Sequence, residues 1–66
     1  MKYTACIDVV DNDYRAWVGT ESISVDSWEE AEEYCRKEDW SGFSYSVDYL
    51  LDNKSKKIYR NRKEFQ

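Results

Sequence analysis

From Lys2 to Val10 the chain alternates, with Tyr3, Ala5, Ile7 and Val9 on one side and Thr4, Cys6, Asp8 and Val10 on the other. A period of two is the signature of a strand with one buried face. Asp11-Asn12-Asp13 predicts a turn, because Asx side chains bond their own backbone and tolerate left-handed geometry. Tyr14 to Val18 resumes an extended pattern, so the first eighteen residues predict a hairpin. Gly19 is expected to interrupt its second strand, with Ile23 and Val25 either extending that strand or leading directly into a helix.

The period then changes. Asp26 and Ser27 are both good N-caps, and Glu29 and Glu30 lie three residues after each, as a capping box requires. Trp28, Ala31 and Cys35 recur at i, i+3 and i+7 and form a narrow apolar stripe with Tyr34 at its border. The helix is expected to end near Asp39, with Gly42 helping the chain turn away. Phe43, Tyr45, Val47, Tyr49 and Leu51 then alternate with Ser44, Ser46, Asp48 and Leu50, predicting a third strand. Asp52-Asn53-Lys54-Ser55 supplies a turn, and Lys56 to Asn61 a fourth strand. The expected fold is α+β in the order β-β-α-β-β, one helix packed on a four-stranded, mainly antiparallel sheet. It forms a single domain over residues 1–61, with 62–66 as a frayed basic tail. No proline, repeat or low-complexity linker divides the chain.

One helix covers one face of such a sheet. Tyr3, Ala5, Ile7, Val9, Phe43, Val47 and Leu51 suffice to fill that face with Trp28, Ala31 and Cys35. Val10, Trp17 or its neighbours, Leu50 and Tyr59 are left for the open face, which would then be partly hydrophobic and favour a partner. Exposed Trp and Tyr tend to anchor interfaces, so Trp17, Trp40, Leu50 and Tyr59 are the expected partner contacts.

Composition changes the picture in two ways. Sixty-six residues lie near the lower limit for folding on one core, which three Trp, six Tyr and two Phe help to offset. Charge is also divided: residues 1–53 carry thirteen acidic and four basic side chains, whereas 54–66 carry six basic residues and Glu64. Such asymmetry favours electrostatic contact with a partner or between copies of the chain.

Candidate chemistry is thin. The chain has no His, the usual general base near neutral pH, and its two glycines cannot build a phosphate loop. No catalytic residues and no cofactor are expected. Cys6 and Cys35 stand outside any Cys-x-x-Cys arrangement, so a zinc site would need two carboxylates, an uncommon set. Asp8, Asp11, Asn12 and Asp13 offer oxygens for calcium but lack the EF-hand spacing, and a solvated turn explains them. No metal is expected. The first residues lack the apolar core of a secretory signal and no membrane-spanning run is present, so a cytoplasmic protein with reduced thiols and no membrane partner is expected. A Cys6–Cys35 disulfide stays open, depending on whether the fold brings the two together.

Two charged surfaces complete the reading. Glu29, Glu30 and Glu33, with Glu32, Glu38 and Asp39, could imitate a phosphate backbone. The bland account is a solvated face, with Glu32–Arg36 and Glu33–Lys37 as i, i+4 pairs. Lys56, Lys57 and Arg60 could meet nucleic acid directly, or serve only to keep an edge strand from aggregating. By elimination the expectation is a non-enzymatic protein-binding module, homodimeric, acting as a small inhibitor or regulator of a partner, of the kind a bacteriophage directs at a host or defence factor. The alternatives are an acidic nucleic-acid mimic, or weak nucleic-acid binding through the basic end.

Overall fold

A computed structural model describes residues 2–39 and 42–66. The alternating first segment forms β1 (Tyr3–Asp11) and pairs antiparallel with β2 (Ala16–Val25). The helix α1 spans Trp28–Glu38, followed by β3 (Phe43–Asp52), the short β4 (Ile58–Tyr59) and a single turn of helix, α2 (Arg62–Phe65). Spatial order in the sheet is β2-β1-β3-β4, and every neighbouring pair is antiparallel. The α+β class and the antiparallel sheet are as the pattern predicts. Two details differ: β2 continues past Gly19 to Val25, and β4 is two residues long. Residues 62–65, expected within a basic tail, form the turn of α2.

The two hairpin loops share one design. In each, an Asp carboxylate ends the strand and accepts from the amides two and three residues on: Asp11 from Asp13 (2.9 Å) and Tyr14 (3.4 Å), Asp52 from Lys54 (2.9 Å) and Ser55 (3.1 Å). The next residue, Asn12 or Asn53, bonds the neighbouring strand through both backbone and side chain. The Asn12 amide donates to the Gly42 carbonyl and its Oδ1 accepts from Ser44; the Asn53 amide donates to the Lys2 carbonyl and its Oδ1 accepts from Thr4. Each loop closes on a basic residue in left-handed geometry, Arg15 (φ 51°) or Lys56 (φ 66°). The motif Asp-Asn-x-x-Arg/Lys therefore occurs twice, at opposite ends of the central β1–β3 pair. Gly42 (φ 103°) sits where the first loop meets β3, in a conformation that side-chain-bearing residues rarely adopt.

Parity in the sheet is set by two bulges. Across β1 and β2, Val9 faces Gly19 while Val10 faces Trp17, which leaves Val18 unopposed. Across β1 and β3, Cys6 faces Tyr49 while Ile7 faces Val47, which leaves Asp48 unopposed. One extra residue moves every later side chain to the other face. Tyr45 and Val47 thus face the helix before the bulge and Leu50 faces it afterwards. Leu50 is completely buried. The expected assignment is reversed at this point: Leu50 belongs to the core and Leu51 to the open face. Tyr59, opposite Leu50, also lies on the helix side.

The helix begins as expected. Ser27 is the N-cap and its Oγ accepts from the Glu30 amide at 3.2 Å, a contact worth about 1 kcal/mol. Glu30 reaches back to the Asp26 amide at 2.8 Å. At the other end the Asp39 amide donates to the Cys35 carbonyl. Trp28, Ala31 and Cys35 point inward and join Ala5, Ile7, Val25 and Leu50 in the core. Full burial of a residue such as Ile7 or Leu50 contributes roughly 1.5–3 kcal/mol.

Helix α2 reuses the same cap. Asn61 Oδ1 accepts from the Glu64 amide at 2.9 Å, and Glu64 accepts from the Arg60 amide at 2.8 Å. The turn lays Phe65 against Tyr3 and Tyr59, with ring centroids 5.0 and 5.3 Å away and edge-to-face geometry. The chain is thus two hairpin–helix units, the second abbreviated.

Candidate interaction surface

Among the described residues, the far end of the β1–β2 hairpin carries the most exposed large apolar side chains: Tyr14 (82% exposed), Trp17 (65%) and Val18 (56%). Each is there for a local reason. Tyr14 occupies the loop that the Asp11 carboxylate organises. Trp17 shares the open face with Val10, and its indole N–H donates to Asp8 Oδ1 at 3.3 Å. That bond satisfies the polar atom and leaves the ring face to solvent. Val18 is the bulged residue and turns to the helix side, where it borders an open groove with Val9, Phe43 and Tyr45. The hairpin end is consequently apolar on both faces.

Of the three expected contact residues that the structure describes, Trp17 stands in this patch and the other two do not. Leu50 is withdrawn into the core. Tyr59 is half-buried against Tyr3 and Phe65 and carries Lys57 over its ring at 5.1 Å. Trp40 lies outside the described residues. Tyr14 and Val18 were not legible as contacts. The chance of finding Val18 lay in its neighbour Gly19, since a glycine within a strand often marks a bulge.

The charged residues engage one another inside the chain. Arg62 spans Glu29 (3.0 Å) and Glu32 (3.4 Å), so Glu32 meets the last helix rather than Arg36 as expected. Glu33 does pair with Lys37, at 3.4 Å. Glu30 closes the α1 cap. Lys56 is the left-handed residue of the second loop, and its amide donates to the Asp52 carbonyl. Arg60 lies over the Tyr49 ring at 5.9 Å. Exposed ion pairs such as these contribute about 0–1 kcal/mol each, and they tie Glu29, Glu32 and Glu33 to cations of the same chain.

Titration reflects these contacts. Tyr34 donates its hydroxyl to Glu21, and that hydrogen bond, with desolvation and the Glu21 charge, pushes its pKa up to about 12. Tyr49 is also raised, first by its electrostatic interaction with the adjacent Cys6 and then by its hydrogen bond with that residue. The two loop amides hold the Asp52 carboxyl below its ordinary value. Burial, then Glu32, pushes the Cys35 thiol up.

The cysteines lie on opposite sides of the sheet: Cys6 half-exposed on the open face, Cys35 buried beneath α1. This arrangement settles the open disulfide question, because the sheet stands between them. Native protein treated with iodoacetamide should therefore take one label quickly, at Cys6, and the second only on unfolding. Equal labelling rates, or an oxidised monomer with a Cys6–Cys35 bridge, would contradict this packing.

Among the described residues no group of carboxylates and thiols is arranged to hold a metal ion, and no helix is long and apolar enough to cross a membrane. Comparison with protein families, with curated proteins and with solved structures finds no match.

Proposed function

We propose that this chain is a non-enzymatic protein-binding module that covers a partner's surface through the end of its β1–β2 hairpin, and so inhibits or regulates that partner. The carrying observation is the exposure of Trp17 together with Tyr14 and Val18 on one short segment. Large rigid aromatics in that setting supply contact area at low entropic cost and dominate interface energetics. A partner suited to this patch presents an apolar pocket deep enough for an indole, with a basic rim for Asp8, Asp11 and Asp13. The acidic-mimic alternative is weakened by the internal pairing of Glu29, Glu32 and Glu33. Direct nucleic-acid binding is weakened by the dispersal of Lys57, Arg60 and Arg62 onto separate intramolecular contacts.

The test is affinity capture from bacterial lysate with nuclease present, comparing the unaltered protein with Trp17→Ala. A stoichiometric protein captured by the former should be lost with the latter, at a cost of about 2 kcal/mol or more, roughly thirty-fold in Kd. Thermal stability should change little, since the ring is mostly in water. Capture unaffected by Trp17→Ala, or recovery of nucleic acid alone, sinks the reading.

A further inference from the structure

The sheet has two open edges, and they are unequal. Beyond the two residues of β4, the outer edge of β3 is guarded: the Tyr45 amide points outward and is taken by the Asp39 carboxylate at 3.3 Å. Asp48 bulges from the same stretch. The outer edge of β2 is ten residues long, includes no Lys, Arg or Pro, and carries Glu21 as its one charge. Native proteins normally blunt such an edge, because its unpaired amides and carbonyls template another strand.

The backbone directions along β2 can be worked out. The amide of Asn12 and the carbonyl of Lys2 both bond toward the β3 strand, so the even-numbered residues of β1 face β3 and the odd-numbered ones face β2. Val9, Ile7 and Ala5 therefore bond to Gly19, Glu21 and Ile23. It follows that Thr20, Ser22 and Ser24 turn their N–H and C=O groups outward. Their side chains are small hydroxyls on the open face, and Ser22 and Ser24 are exposed.

We infer that β2 pairs antiparallel with β2 of a second copy, about a twofold axis through Ser22. Only registers that oppose outward-facing residues can form the ladder. Moving the axis to Glu21 would set two carboxylates directly across from each other, which is unfavourable. Moving it to Ile23 discards one hydrogen-bonding pair at the strand's regular end. With the axis at Ser22, the whole unbulged stretch Gly19–Val25 is used. Ser22 opposes Ser22 and Thr20 opposes Ser24, so each outward residue exchanges both backbone bonds. Glu21 then lies across from Ile23 of the second copy. Symmetry closes the assembly at two, giving a continuous eight-stranded sheet with both α1 helices on one side. The Val18 bulge ends the ladder and leaves Tyr14 and Trp17 outside it, so this interface stands independently of the proposed hairpin-end surface.

Three variants test it. In a Cys6→Ser background, Ser22→Cys should convert fully to a disulfide-linked dimer under mild oxidation, since the two side chains meet on the axis. Ser46→Cys, on the guarded edge, should not. Ser22→Pro removes the outward amide while leaving the ladder to β1, and Pro is tolerated on such edges. Light scattering over a dilution series should read twice the 8.0 kDa chain mass for the unaltered protein and 8.0 kDa for Ser22→Pro. A monomeric unaltered protein, which would leave the edge to a foreign strand, overturns the inference. So does cross-linking at Ser46→Cys in place of Ser22→Cys. If Ser22→Pro fails to fold by circular dichroism, the cysteine pair still decides.

Discussion

Leu50→Ala should remove about 2–5 kcal/mol of stability, whereas Leu51→Ala should cost about 1 kcal/mol or less. The two residues are adjacent and chemically identical, and only the Asp48 bulge separates their fates. Leu50 is fully enclosed among Ala5, Ile7, Val25, Trp28, Ala31 and Cys35, so truncation leaves a cavity that the sheet cannot collapse to fill. Leu51 lies on the open face with Thr4 and Ile58 as its cross-strand neighbours. A chain of this length has a total stability of only about 3–10 kcal/mol, from the usual per-residue range. Leu50→Ala therefore lies close to unfolding the protein outright at ambient temperature. Urea midpoints for the pair give the answer directly. Equal losses, or a larger loss at Leu51, would mean that the bulge sits elsewhere and the β3 parity is inverted.

The second large effect concerns the last turn of the chain. Phe65→Ala should cost roughly 2–3 kcal/mol and lower the melting temperature clearly, while the exposed Lys63→Ala should change stability by less than about 0.5 kcal/mol. Phe65 closes a three-ring cluster whose Tyr3–Tyr59 contact, at 6.3 Å, is the longest of its sides. Removing it deletes two edge-to-face contacts and uncovers apolar surface on both tyrosines. Arg62 contributes far less, because its pairs with Glu29 and Glu32 are half in water. If Phe65→Ala behaves like Lys63→Ala in thermal melts, residues 62–66 are a tail after all and α2 adds nothing to the fold.

These two cases show where the sequence can be read and where it cannot. Alternation in 2–10 and 43–47 declares strands because side-chain direction has a period of two in any extended chain. Ser27-x-x-Glu30 declares a helix start because the capping bonds are made within four residues. The Asp11 and Asp52 loops are equally local, and so is Asn61-x-x-Glu64. That last cap was equally available in the sequence. The patch on the hairpin was half legible: Trp17 follows from composition and alternation, while Val18 needed the bulge.

What local pattern determined, then, is the set of elements, their turns and caps, and the stripe of Trp28, Ala31 and Cys35, since each depends on bonds or periods spanning a few residues. The tertiary structure alone decided which leucine is core, where Arg62 lands and which sheet edge stays open. A bulge is a mismatch between two strands, and at Asp48, where no glycine marks it, β3 does not record it by itself. With Tyr49, Leu50 and Leu51 in succession both parities are apolar, so only packing against β1 and α1 chooses between them.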